Sequence, residues 1–226
     1  MFTGIVAAIG TITEVAPLGN DAGLRVRVAA PALDLSDVAI GDSIAVQGAC
    51  MTVVAVDHDG FAFDISRESL ACTVGLGAPG RVNLEKAMRL SDRVGGHLVS
   101  GHVDGVGGVV RFEPVGESHA LEIAAPRALA RYLAFKGSLT VDGVSLTINR
   151  VTDRADDCVV AINLIPHTIA VTTLARLAAG DRVNLEIDLI ARYVERMRAV
   201  DCAGEAPGAG KVPGAGEVPA VGTAAR

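Results

Sequence analysis

The sequence predicts an all-β fold, made of two tandem copies of a small closed β-barrel followed by a C-terminal α-helix. Three observations support this prediction: short β-branched runs recur along the chain, several segments occur twice in the same order, and one amphipathic stretch follows the second copy. Half of the 226 residues are hydrophobic, so a substantial core can be buried. Only 3% are aromatic, so we expect that core to consist of Val, Ile, Leu and Ala.

The strands are predicted from alternation and composition. Residues 23–28 alternate aliphatic side chains with arginines, which is the period-2 pattern of a half-buried strand. Comparable β-branched runs occupy 43–46, 51–56 and 61–65. Two short helices are expected between strands, at 32–37 and at 126–135, where Pro126 suits a first helical turn.

The chain contains an internal duplication. Three segments recur in the same order at a separation of about 100 residues, which indicates a duplicated domain. The pairs are 2–10 with 99–107, 43–53 with 138–148, and 81–85 with 182–186. Because closure removes the exposed edges of a sheet, we interpret each copy as a small closed barrel. We therefore expect an N-terminal barrel at 1–97 and a C-terminal barrel at 98–187.

A helix is predicted at 188–200, beyond the second copy. Leu189, Tyr193 and Met197 recur at every fourth position, which is typical of an amphipathic helix. The first copy has no counterpart, so the helix either mediates assembly or packs against its own barrel. From 201 to 226 the chain is rich in Gly, Pro and Ala, and we expect a disordered tail.

Composition and charge argue against several classes of protein. The net charge is −6 with acidic and basic residues interspersed, which disfavours nucleic-acid and membrane-surface partners. The four cysteines form no CxxC pair, so neither a zinc site nor a disulfide framework is indicated. The sequence shows neither a signal-peptide pattern nor the roughly 20 apolar residues of a membrane span, so we expect a soluble, cytoplasmic protein.

The two copies share a framework but differ at polar positions. Ile5 in the first copy corresponds to His102 in the second, and Cys50 corresponds to Ser145, while a threonine two residues further on is common to both. This pattern fits two related pockets with different roles, and plain drift after duplication would also produce it. His97 and His102 could be metal ligands, but no carboxylate or cysteine cluster accompanies them, so we predict no metal site.

Seven motifs resemble those of the riboflavin synthase family. They are Met-Phe-Thr-Gly-Ile-Val at 1–6, Cys-Met-Thr at 50–52, Gly-Gly-His-Leu-Val-Ser-Gly-His-Val-Asp at 95–104, Tyr-Leu-Ala-Phe-Lys-Gly-Ser-Leu at 132–139, Val-Asp-Gly-Val-Ser-Leu-Thr at 141–147, Ile-Pro-His-Thr at 165–168 and Val-Asn-Leu-Glu-Ile-Asp at 183–188. The resemblance covers everything but the tail. Gln47 stands where the family has Asn, and Ser69 where it has Thr.

This resemblance implies a fold, a reaction and an assembly. The fold would be two six-stranded Greek-key barrels, each binding one lumazine. The reaction would be the dismutation of two molecules of 6,7-dimethyl-8-ribityllumazine to riboflavin and 5-amino-6-ribitylamino-uracil, by transfer of a four-carbon unit and with no cofactor. The chains would form a homotrimer around the C-terminal helix, with active sites between neighbouring subunits, and the trimer could associate with lumazine synthase.

The resemblance also implies the site residues. The catalytic candidates are Phe2, Cys50, His102, Ser145, Thr147 and Asp188, with His102 as the base that removes a proton from the C7 methyl group of one lumazine. One lumazine would be bound by Thr3, Gly4, Ile5, Val6, Cys50, Met51, Thr52, Asp64, Ile65, Ser66, Arg67, Glu68 and Ser69. The other would be bound by Gly101, His102, Val103, Lys136, Ser145, Leu146, Thr147, Ile165, Pro166, His167, Thr168, Ile169 and Ala170.

The sequence disfavours two alternative functions. Lumazine- and flavin-binding proteins of the same duplicated fold bind their ligand without chemistry, and they typically lose polar residues in one barrel. A flavin-dependent oxidoreductase would need a nicotinamide domain, for which 226 residues leave no room.

Overall fold

The computed structural model describes residues 1–19 and 22–204, and these form two sets of six β-strands. The first set is β1 (Ala8–Pro17), β2 (Leu24–Ala29), β3 (Ser43–Val46), β4 (Ala49–Val56), β5 (Gly60–Ile65) and β6 (Gly80–Lys86). The second set is β7 (Gly105–Val115), β8 (Ser118–Pro126), β9 (Ser138–Val141), β10 (Val144–Asp153), β11 (Asp157–Leu164) and β12 (Arg182–Ile187).

Each set closes into an antiparallel barrel. The first barrel has the strand order β1-β2-β5-β4-β3-β6, and the second has the same cyclic order in its own six strands. Strands β3, β4 and β5 follow one another while β2 lies beside β5, which is a Greek-key arrangement. The predicted fold class and duplication are therefore confirmed, and the four strand runs predicted in the first copy correspond to β2–β5.

The predicted helix at 32–37 is wrong, because this segment forms turns. Leu33 and Leu35 are both buried against the first core, so the turns hold the segment against the first barrel. The Asp34 carboxylate accepts a hydrogen bond from the Ser36 N–H at 3.0 Å, and its carbonyl accepts one from Lys86. These contacts satisfy the polar groups locally without a helical ladder.

The helices are mostly short. They are α1 (Arg67–Cys72), α2 (Pro166–Val171) and α3 (Leu189–Gly204), with 3₁₀ helices at Arg127–Tyr132 and Thr173–Arg176. The helix predicted at 126–135 is the first of these 3₁₀ helices, and Pro126 precedes it rather than beginning it. No helix within the described residues is long and apolar enough to cross a membrane.

The C-terminal helix α3 is longer than predicted. It begins after Asp188, whose carboxylate accepts a hydrogen bond from the Ile190 N–H at 2.9 Å and so satisfies one of the free donors of the first turn. It continues to Gly204, four residues into the segment predicted as a disordered tail. The rest of that segment, 205–226, lies outside the described residues.

Each barrel has its own core of aliphatic side chains, and the first core also contains aromatic rings. Phe61 and Phe63 are fully buried, with ring centroids 6.3 Å apart. The expectation of a purely aliphatic core is therefore wrong for the first barrel. In the second barrel the fully buried side chains include Leu121, Ile123, Leu139 and Ile148.

The segments that precede β1 and β7 pair with each other at the junction of the barrels. Phe2 and Val99 exchange two backbone hydrogen bonds, of 2.7 and 3.0 Å. Beyond this pair each segment runs onto the opposite barrel: Val6 packs against the second core, and Val103 packs against the first. The repeated segments 2–10 and 99–107 thus begin as exchanged segments and become strands only at Ala8 and Gly105.

Candidate functional site

A cavity of about 290 Å³ lies where the second-repeat segment crosses the first barrel. Its walls come from β4, from α1 and the residue that follows it, and from the exchanged segment. The lining residues are Ala49, Cys50, Met51, Glu68, Ser69, Cys72, Thr73, Gly101, His102 and Val103. The cavity therefore combines Cys50 of the first repeat with His102 of the second.

Gly101 permits the close approach that creates this cavity. Its carbonyl accepts a hydrogen bond from the Cys50 N–H at 2.7 Å, and its φ of +77° lies in the left-handed region. A Cβ at this position would lie 2.7 Å from the Cβ of Cys50. A residue with a side chain would force the segment away from β4, so Gly101 sets where His102 emerges.

A buried carboxylate holds each exchanged segment. Glu186 accepts hydrogen bonds from the N–H groups of Ser100 and Gly101, at 2.7 and 3.0 Å. Glu85 does the same for Thr3 and Gly4, at 2.7 and 3.0 Å. Burial raises the pKa of Glu186 to about 7 although these bonds act in the opposite direction, and burial raises the pKa of Glu85 as well. Both carboxylates position the backbone beside a candidate site.

The first-repeat segment makes the equivalent contact with the second barrel. The Gly4 carbonyl accepts a hydrogen bond from the Ser145 N–H at 2.8 Å. The Ser145 hydroxyl lies 2.7 Å from Nδ1 of His97, whose Nε2 lies 3.3 Å from the hydroxyl of Thr140. Burial lowers the pKa of His97, and the Asp188 carboxylate is close enough to raise it in part.

The structure groups the predicted site residues differently from the sequence analysis. We expected Gly101–Val103 beside Ser145, and Gly4–Val6 beside Cys50. The backbone contacts reverse these partners, because each repeat sends its leading segment across to the other barrel. His102 and Ser145 consequently belong to two different sites within one chain.

Several predicted residues lie behind or beside the cavity rather than in it. Phe2 has no exposed surface and packs against Cys50 from behind. The hydroxyl of Thr3 donates to Glu85 at 2.7 Å and is buried. Asp64 pairs with Arg25 on the barrel surface, at 2.7 Å, and Ile65 belongs to the first core.

The remaining predicted residues occupy the rims of the two barrels. Ser66 caps α1 by accepting the Ser69 N–H, and Arg67 is the first residue of that helix. The exposed residues among them include Ile5, Thr52, Lys136, Thr147, Ile165 (the N-cap of α2), Pro166 and His167, while Leu146 is buried. Lys136 has φ of +63° and reaches Asn149 at 3.3 Å.

The sequence motifs did not identify Cys72, Thr73 or the two buried glutamates as site residues. Cys72 and Thr73 lie at the end of α1, a six-residue helix that periodicity does not detect. The sequence does contain a pattern that could have identified the glutamates. Glu85 and Glu186 end the duplicated Val-Asn-Leu-Glu segment, at a position where the strand is otherwise buried.

A larger cavity, of about 630 Å³, lies on the first barrel among charged side chains. Asp37 within it forms ion pairs with Lys86 and Arg89. It contains none of the residues that the sequence analysis predicted for the site, so we place the candidate site at the Cys50–His102 cavity.

Comparison with known proteins agrees with the duplication. The model of the lumazine binding domain matches the chain twice, at residues 3–87 and 100–188. Riboflavin synthase of Photobacterium phosphoreum is 44% identical over 207 residues, covering 89% of this chain and 90% of that protein. Riboflavin synthase of Mycobacterium tuberculosis is 45% identical over 200 residues, covering 87% and 98%. This chain belongs to the riboflavin synthase family.

Solved structures show the same fold. The chain is similar to LumP in crystal structures with 6,7-dimethyl-8-(1'-D-ribityl) lumazine and with riboflavin, with TM-scores of 0.70 and 0.71 and sequence identities of 27% and 28%. Each alignment covers 83% of this chain and 99% of LumP. The resemblance to the riboflavin synthase family that the sequence motifs indicated is therefore confirmed.

Proposed function

We propose that this chain converts two molecules of 6,7-dimethyl-8-ribityllumazine into riboflavin and 5-amino-6-ribitylamino-uracil. The observation that carries this proposal is the cavity in which Cys50 of one repeat meets His102 of the other. The family to which the chain belongs and the lumazine bound by the structural neighbour LumP both support the choice of substrate.

The cavity suits a flat, polar heterocycle. Ala49, Met51 and Val103 supply apolar surface for the faces of the ring system. Cys50 and Ser69 supply polar groups that can contact its edges. A concave site with apolar walls and a few polar groups is the usual form of a small-molecule site, and the polar groups fix the orientation of the ligand.

His102 is the residue best placed to move a proton. The C7 methyl group of the lumazine is acidic because its anion delocalises into the ring, and an imidazole can accept a proton near neutral pH. His102 lies at the cavity and is exposed, so its ring can reach both the bound lumazine and a second ring presented from outside. Holding two rings in register makes the transfer effectively intramolecular.

The second ring would come from a neighbouring subunit in a homotrimer. Helix α3 is tied to its own barrel by the pairs Arg192–Asp104, at 2.6 Å, and Arg131–Glu195, at 3.0 Å. These polar anchors leave the apolar side chains Ile190, Tyr193, Val194, Met197 and Val200 exposed. Such a face favours assembly over packing on its own barrel. Association with lumazine synthase and a cytoplasmic location stay predictions.

The substitution His102→Gln tests the proposed role of the imidazole. We expect turnover to fall by about 10²–10⁴-fold, the usual contribution of a general acid or base, while lumazine binding persists. The measurement is riboflavin formation beside a fluorescence titration with the lumazine. His58→Gln is the matched control, because it makes the same chemical change at an exposed histidine outside the cavity.

Two outcomes would contradict the proposal. Near-normal turnover of His102→Gln would show that His102 is not the base. A wild-type chain that binds the lumazine but forms no riboflavin would instead support the second candidate, a non-catalytic lumazine-binding protein of the same fold.

A further inference from the structure

Ser145 is held by a histidine that the duplication does not reproduce. Its hydroxyl lies 2.7 Å from Nδ1 of His97, in the segment that links the barrels. Cys50 occupies the corresponding place in the first barrel and faces an open cavity. In the part of the chain that the structure describes, no side chain hydrogen-bonds the Cys50 thiol. The His97–Ser145 contact therefore makes the two sites chemically different.

The surroundings of His97 fix its ring. The backbone N–H of His97 donates to the carbonyl of Thr3 at 3.1 Å, and Nε2 faces the buried hydroxyl of Thr140 at 3.3 Å. Gly96 allows the backbone to pass close to Thr3, because a Cβ at position 96 would lie 2.2 Å from the same Thr3 carbonyl oxygen. The imidazole is thus held between two hydroxyl groups by a backbone that cannot shift freely.

The two contacts fit one tautomer of the His97 ring, with the proton on Nε2. N–H···O hydrogen bonds are most often about 2.9–3.0 Å long, whereas O–H···O hydrogen bonds are most often about 2.7–2.8 Å long. The 2.7 Å contact fits a Ser145 hydroxyl that donates to Nδ1, and the 3.3 Å contact fits an Nε2–H that donates weakly to Thr140. Burial lowers the pKa of His97, which favours the neutral form of the ring, and in that form Nδ1 can accept a hydrogen bond.

We propose that His97 is a positioning residue: its Nδ1 accepts a hydrogen bond from the Ser145 hydroxyl and so turns the lone pairs of Ser145 Oγ toward the lumazine bound at the second barrel. This inference rests on the proposed function. Held in this way, Ser145 Oγ can accept a hydrogen bond from the lumazine ring or orient a water molecule toward that ring. Among the described residues, Cys50 has no histidine partner of this kind. The two lumazines of one reaction therefore contact different side chains.

A double-mutant cycle tests the coupling. His97→Gln removes the acceptor beside Ser145, and His97→Asn keeps an amide oxygen near the position of Nδ1. We expect His97→Gln to lower kcat about tenfold with KM changed less than about twofold, the size of effect expected for one hydrogen bond. We expect His97→Asn to recover most of the loss. In a Ser145→Ala background His97→Gln should have no further effect.

A spectroscopic measurement that does not depend on turnover can test the role of His97 separately from the proposed enzymatic function. With ¹⁵N-labelled histidine, the nuclear magnetic resonance spectrum of the full chain should show His97 unprotonated at Nδ1, and Ser145→Ala should shift that signal. A proton on Nδ1, an equal loss of kcat in the Ser145→Ala background, or a loss confined to KM would each overturn the inference. Absence of riboflavin formation with the expected spectrum would overturn the proposed function alone.

Discussion

The side chain of Asn184 links the two barrels, and its removal should destabilise the chain by a predictable amount. Its Nδ2 donates to the carbonyls of Gln47 and Val74, at 2.9 and 3.0 Å, and its Oδ1 accepts from the Val74 N–H at 2.8 Å. Asn184→Ala would leave these three backbone groups without their partner. At about 0.5–1.5 kcal/mol for each bond, we expect the free energy of unfolding to fall by about 3 kcal/mol.

The equivalent residue of the first repeat provides a matched control. Asn83 makes two such bonds, to the Asp142 carbonyl at 2.9 Å and from the Thr173 N–H at 2.8 Å. Asn83→Ala should therefore cost about 2 kcal/mol, one hydrogen bond less than Asn184→Ala. The assay is urea unfolding followed by far-ultraviolet circular dichroism, at one protein concentration because assembly adds to apparent stability. Equal losses, or losses below about 1 kcal/mol in both variants, would refute this reasoning.

Three further predictions concern pH, the exchanged segment and the assembly. Burial raises the pKa values of Asp142 and Glu186 to about 7, so the folded chain holds protons that the unfolded chain has released. The free energy of unfolding should therefore fall as the pH rises from about 4 to about 7 and then level off, and urea unfolding that shows a rise over this range would contradict it. Gly101→Ala should lower both lumazine affinity and turnover, because its Cβ would push the His102 segment off Cys50, and unchanged titration curves would count against this placement. Replacing Tyr193 and Met197 of α3 with Glu should give monomers in sedimentation that still bind lumazine but lack turnover, and a fully active monomer would exclude a shared site.

The sequence was sufficient for the features that depend on local patterns. The alternation at 23–28 and the repeated Val-Asn-Leu-Glu segment predicted strands and a duplication, because side-chain period and repetition are read directly from the residues. The six-residue helices α1 and α2 were missed, since two turns or fewer give no usable periodicity. At 32–37, two buried leucines spaced two apart belong to turns rather than to a helix.

The site depended on contacts that no local pattern shows. The candidate residues were predicted as a set of polar positions that differ between the copies, but their grouping depends on the exchange of the leading segments. That exchange rests on Gly4 contacting Ser145 and Gly101 contacting Cys50. In the sequence, the only sign of such long-range backbone hydrogen bonds is a glycine. Glycine also occurs in turns and other tight conformations, so it does not predict the contact by itself.

The proposed reaction can be measured by incubating the purified full chain with 6,7-dimethyl-8-ribityllumazine alone and following both products. We expect one riboflavin and one 5-amino-6-ribitylamino-uracil to form for every two lumazines consumed, with no flavin, nicotinamide or metal added. Lumazine that is bound but not consumed, or riboflavin that forms only when an oxidant is supplied, would contradict it.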